Sequence, residues 1–111
     1  YGEVPVGGMN PRSKHTGEVS FVFNNVGEQP KSDPAYIMPT KDTNILAENM
    51  SKAWAAFAYN GNPVHAGLPQ WPTYDLKDRS TMIFDVQCNV ANDPDGEIRV
   101  SFIDVNYYLY A

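Results

Sequence analysis

Between positions 43 and 60 the apolar residues Leu46, Met50, Trp54, Phe57 and Ala58 recur at intervals of four, four, three and one, which places them on one stripe of a helix. Glu48, Asn49 and Lys52 fall off that stripe. Asp42, Thr43 or Asn44 can each cap the start, Gly61 supplies a left-handed stop and Pro63 prevents continuation, so the pattern predicts a helix over 43–60. A second stripe of Ile98, Phe102, Val105 and Leu109 predicts a terminal helix over 93–110, opening at Asp93-Pro94-Asp95. Its β-branched residues lower the intrinsic propensity of that segment. Between the helices, 81–87 opens on Thr-Met-Ile-Phe-Asp-Val and reads as one short strand. The intervening stretch 61–80 is a loop punctuated by Pro63, Gly67, Pro69 and Pro72, with Trp71 and Tyr74 expected to anchor it on a neighbouring surface.

Residues 1–42 carry the turn signals Gly7-Gly8, Asn10-Pro11, Gln29-Pro30, Asp33-Pro34 and Met38-Pro39, so little regular structure is expected there. The exception is the apolar run from Glu18 to Phe23, which periodicity alone does not assign to a strand or a helical turn. Two amphipathic helices and one lone strand do not close into a small fold. Both stripes and the strand edges need partners that these residues do not supply, so the pattern predicts a fragment of something larger.

Composition narrows the function classes. With 42% hydrophobic and 13% aromatic residues in 111, the chain is no disordered tail. Thirteen acidic against eight basic residues give a net charge of −5, and no Lys/Arg run could neutralise a row of phosphates, so no nucleic-acid partner is expected. No apolar stretch approaches the ~18 residues of a membrane span, so no membrane partner is expected either. The first residues, Tyr1 to Gly8, lack a basic region followed by an apolar one and assign no compartment. Cys88 is the only cysteine, which excludes an internal disulfide and a Cys-rich zinc site; it is expected to be a small apolar residue packed beside the strand. His65 has no ligand-like spacing to another His, Cys, Asp or Glu and is expected to face solvent. No metal or cofactor is expected.

The run His15-Thr-Gly-Glu-Val-Ser-Phe-Val-Phe23 resembles the pattern H-x-x-E-[IVL]-x-[FY]-V-F around the catalytic histidine of type-B carboxylesterases and cholinesterases. Further stretches similar to that family follow in its order: Met50-Ser-Lys-Ala-Trp-Ala-Ala-Phe-Ala58, Gly61-Asn-Pro63, Trp71-Pro-Thr-Tyr-Asp75, Met82-Ile-Phe-Asp85 and the segment from Cys88 to Glu97. The resemblance spans nearly the whole chain from His15 onward. It implies an α/β protein, the C-terminal portion of an α/β-hydrolase fold and incomplete on its own.

It also implies hydrolysis of a carboxylic ester through an acyl-enzyme, with His15 as the general base and acid that takes the nucleophile's proton and returns it to the leaving alcohol. Glu18 would support the histidine loop rather than serve as the triad acid, because the family's acid comes from a separate upstream loop. The chain departs from the family pattern where the nucleophile is concerned. None of Ser13, Ser20, Ser32, Ser51, Ser80 and Ser101 stands in a G-x-S-x-G elbow, and the Gly-rich oxyanion segment is absent. The chain alone is therefore expected to be inactive, its partners being the missing N-terminal part of the hydrolase and the ester substrate. Two other readings stay open at this point: a non-catalytic binding or adhesion segment with a cholinesterase-like fold, and a processed or truncated product acting as an interaction module.

Overall fold

The computed structural model describes residues 15–103. Their longest element is α2, Lys41–Asn60, preceded by a single helical turn, α1, Val19–Val22. The ambiguous run at Glu18–Phe23 is thus helical, closed by Phe21 N–H and Val22 N–H donating to the Glu18 carbonyl at 3.0 and 2.9 Å.

Helix α2 begins two or more residues before the expected caps. Thr40 is the N-cap in an extended conformation, and it exchanges bonds with Thr43: Thr43 N–H donates to Thr40 Oγ1 at 3.1 Å and Thr40 N–H to Thr43 Oγ1 at 2.7 Å. Two orphan amides of the first turn are satisfied at once, which Asp42 or Asn44 could not do from inside the helix. Asp42 places its charge favourably in that turn. Ala47, Ala53, Ala55, Ala56 and Ala58 favour the helical conformation, and Gly61 ends it at φ 76°, its N–H donating to the Phe57 carbonyl at 2.8 Å. Replacing Thr40 by Ala should cost about 1 kcal/mol in a urea titration of the complete polypeptide, and Thr40→Ser should recover most of it.

The face that α2 buries differs from the expected stripe. Thr43, Leu46, Ala47, Met50 and Ala53 are buried, whereas Trp54, Phe57 and Ala58 are exposed. The cause is what packs on the helix. Helix α1 and Ile37 cover its N-terminal half, where Phe21, Leu46, Ala47 and Met50 form the core with Val22, Val26, Phe84 and Cys88 against them. Towards the C-terminal half the covering residue is Phe84, whose ring meets Trp54 at 5.9 Å and Trp71 at 6.2 Å between centroids. Trp71 is therefore an anchor, as expected of it.

The lone strand expected over 81–87 is corrected to a hairpin. Strand β1, Ser80–Ile83, pairs antiparallel with β2, Asn89–Asn92, in the register Ser80↔Asn92, Thr81↔Ala91, Met82↔Val90, Ile83↔Asn89. Asn-Val-Ala-Asn is a poor strand by composition, and only pairing to β1 makes it one. Phe84 to Cys88 form the connection, and Cys88 is half-buried there, its S–H donating to the Asp85 carbonyl at 3.4 Å.

The terminal helix is shorter at its start than predicted. Helix α3, Gly96–Ser101, opens after Asp95, which caps through its backbone position and not its side chain, and Phe102 and Ile103 follow as a turn. Of its expected stripe, Ile98 and Phe102 are exposed, while Val105 and Leu109 lie outside the described residues. The carboxylate expected to cap, Asp93, instead receives Arg99 Nε at 3.1 Å and Nη2 at 2.6 Å, pinning α3 to the end of β2. That hydrogen bonding holds the Asp93 carboxyl below the ordinary carboxylate range. Because the folded value is the lower one, the contact contributes above the unfolded value of about 3.9 and is lost as pH falls through the folded one. The Arg99 Nε–H resonance should accordingly stay unchanged down to about pH 4 and shift only below it. Asp93→Asn should abolish the transition; a shift centred near neutrality would contradict the assignment.

Candidate active site

His15 is exposed and stands on a tight turn whose closing bond runs from Val19 N–H to the Thr16 carbonyl at 3.2 Å. Thr16, with φ 67°, occupies the left-handed region, and its hydroxyl donates to the His15 carbonyl at 2.5 Å. Helix α1 follows directly, and its Phe21 is buried against α2. The core thus fixes the base of the turn, and the turn holds up the imidazole.

Beside it lies a cavity of about 570 Å³. His15, Gly17 and Glu18 form one rim, Asp33 to Ile37 the facing wall, and Phe21, Leu46, Met50 and Phe84 the apolar floor. The structure therefore brings together both residues singled out from the sequence, His15 and Glu18, at one mouth. Glu18 differs from expectation in how it supports the loop. Its backbone carbonyl does so, by accepting from α1, while its side chain is exposed and makes no hydrogen bond among the described residues. Asp33 is the other carboxylate of the cavity, but it is engaged locally, accepting from Ala35 N–H at 2.7 Å. Among the described residues no carboxylate is hydrogen-bonded to His15. An exposed imidazole over an apolar floor can move a proton for a neighbouring group; among the described residues no nucleophile or acid is hydrogen-bonded to it.

The model of the carboxylesterase family matches residues 5–102. The chain belongs to that family. Among relatives of this carboxylesterase chain, the para-nitrobenzyl esterase of Bacillus subtilis (strain 168) is 34% identical over 85 residues, which are 77% of this chain and 17% of that protein. The human cocaine esterase is 37% identical over 68 residues, 61% of this chain and 11% of the relative. A crystal structure of the Geobacillus stearothermophilus carboxylesterase superposes with a TM-score of 0.68 at 32% identity, covering 89% of this chain and 20% of that one. A thermophilic para-nitrobenzyl esterase superposes with a TM-score of 0.67 at 34% identity over 78% of this chain and 17% of its own. The fold is that of a portion of an α/β-hydrolase carboxylesterase, and the chain spans 17% of the length of its Bacillus relative.

Two features of this carboxylesterase segment escaped the sequence. At Asp33–Ile37 the turn signal Asp33-Pro34 hides a cavity wall, although Tyr36 and Ile37 between Pro34 and Pro39 are apolar enough to mark a packed segment. His65 is half-buried rather than solvent-facing: Gly67 N–H donates to its Nδ1 at 3.0 Å, so Nε2 carries the proton and donates to the Asn49 carbonyl at 3.0 Å. It clips the proline-rich loop to α2. A second cavity of about 730 Å³ lies under that loop, walled by Trp54, Phe57, Pro63, Trp71 and Tyr74. Its polar lining is Asn62 and the hydroxyl residues Thr73, Tyr74, Ser80 and Thr81, with no carboxylate, imidazole or thiol among them. No group of potential metal ligands occurs among the described residues, and no described helix is long and apolar enough to cross a membrane.

Proposed function

We propose that this chain is the C-terminal part of a longer serine hydrolase acting on carboxylic esters, and that His15 is the base and acid of its triad. The observation that carries the reading is the placement of His15, within a family match over residues 5–102, at the rim of an apolar cavity. In this role the imidazole accepts the proton of the attacking serine hydroxyl as the acyl bond forms, then gives it to the departing alkoxide; water repeats the sequence on the acyl-enzyme. Serine, acid and oxyanion-hole amides come from the upstream part. Glu18 takes no proton in the reaction; its backbone carbonyl closes the first turn of α1. Acyl transfer of this kind needs no metal or cofactor.

Exposed apolar side chains support an upstream part that packs on this one. Phe23 is 73% exposed, Leu76 74% and Phe102 57%, apolar side chains that a packed upstream part could cover. The test is single-turnover acylation by a p-nitrophenyl ester, comparing the complete polypeptide, its His15→Ala variant and the present chain alone.

A further inference from the structure

We propose that Thr16 is a positioning residue for His15, holding the imidazole over the cavity through a strained, tethered turn. The inference rests on the reading of His15 as the base. Among the described residues four that are not glycine have positive φ, namely Thr16, Asn24, Arg79 and Asp93. Asn and Asp tolerate the left-handed region because their short polar side chains bond locally; a β-branched residue there, at φ 67°, is a steric outlier. Such outliers persist only where surrounding contacts over-determine them.

The contacts that do so converge on the histidine. The Thr16 hydroxyl donates to the His15 carbonyl at 2.5 Å, and the Thr16 carbonyl accepts from Val19 N–H at 3.2 Å. One residue therefore joins the backbone of His15 to α1, and α1 is anchored by Phe21, only 3% exposed, against Leu46 and Met50. The imidazole itself makes no hydrogen bond among the described residues, so its position over the cavity follows from the backbone that carries it. Glycine at position 16 would accept the same φ without strain but would lose the hydroxyl tether. Serine would keep the tether and lose only the branch.

The variants separate these contributions in the complete polypeptide. Thr16→Gly should leave the Tm equal or raised and KM unchanged while lowering the single-turnover acylation rate about tenfold, because a loosely held base spends less time within reach of the hydroxyl proton. Thr16→Ser should stay within about threefold of the original rate, since it retains the hydroxyl. A Thr16→Gly variant acylating at the original rate overturns the proposal. So does a Thr16→Ser variant as slow as Thr16→Gly, which would assign the effect to methyl packing, and so does a Tm lowered in Thr16→Gly, which would assign it to damage of the fold. His15→Ala in the same series keeps the two readings apart. If it is inactive while Thr16→Gly is unimpaired, only the positioning role falls; if it is active, the base assignment falls and this one with it.

Discussion

Replacing His15 by alanine in the complete polypeptide should slow single-turnover acylation by a p-nitrophenyl ester about 10⁴-fold or more, equivalent to roughly 5 kcal/mol or more of transition-state stabilisation. Without the imidazole the serine must lose its proton to water in the transition state. What survives loss of a triad member is a residual enhancement of about 10³ to 10⁴ over water, due to the oxyanion hole and substrate binding. Tm and substrate binding should hardly change, because His15 is exposed and its ring makes no hydrogen bond among the described residues. Glu18→Ala should be far milder, since its backbone carbonyl and not its carboxylate closes α1. The present chain alone should do no better than free imidazole, having neither elbow serine nor oxyanion segment. A His15→Ala variant retaining more than about a tenth of the rate would sink the triad assignment, as would a Glu18→Ala variant equally impaired.

The parts of this structure legible in the sequence are those specified locally. Helix α2 is written in its alanines, its stop at Gly61 and its apolar spacing, whereas the run from His15 to Phe23 is legible as a motif but not as a turn leading into a helix. The rest depends on partners distant in the chain. Thr40 became the cap because its bonds with Thr43 satisfy two amides together, a pairing that competes closely with Asp42 when only residue types are weighed. Strand β2 exists because β1 lies beside it, and neither Asn89 nor Asn92 signals a strand. Which face of α2 is buried follows from where α1 and Phe84 sit, so Ala53 is fully buried while the larger Trp54 next to it is half exposed. The mouth of the cavity was legible as residues but not as a place. Glu18 stands three positions from His15, whereas Asp33 to Ile37 line the same cavity from a distant stretch of the chain.

Loss of the core beneath that rim should have a large effect on stability: Leu46→Ala is expected to cost about 2 to 5 kcal/mol. Leu46 is 2% exposed, sits among Phe21, Ala47 and Met50, and also floors the cavity beside His15. Shortening it removes the transfer free energy of three buried carbons and leaves a void that α1 and α2 can close only by moving together, which would shift the turn carrying the imidazole. Ile45, the preceding residue, faces outward at 44% exposure, so Ile45→Ala keeps the same helix and should cost less than about 1 kcal/mol. Urea titration of the complete polypeptide and both variants, with the acylation rate measured in parallel, separates the two links of the chain from packing to chemistry. Leu46→Ala should lower both the unfolding midpoint and the acylation rate, and Ile45→Ala should leave both nearly unchanged. If the two variants proved equally stable, the buried face of α2 would be assigned wrongly; if Leu46→Ala lost stability but kept its full rate, the histidine turn would have to be held by something other than the α1–α2 core.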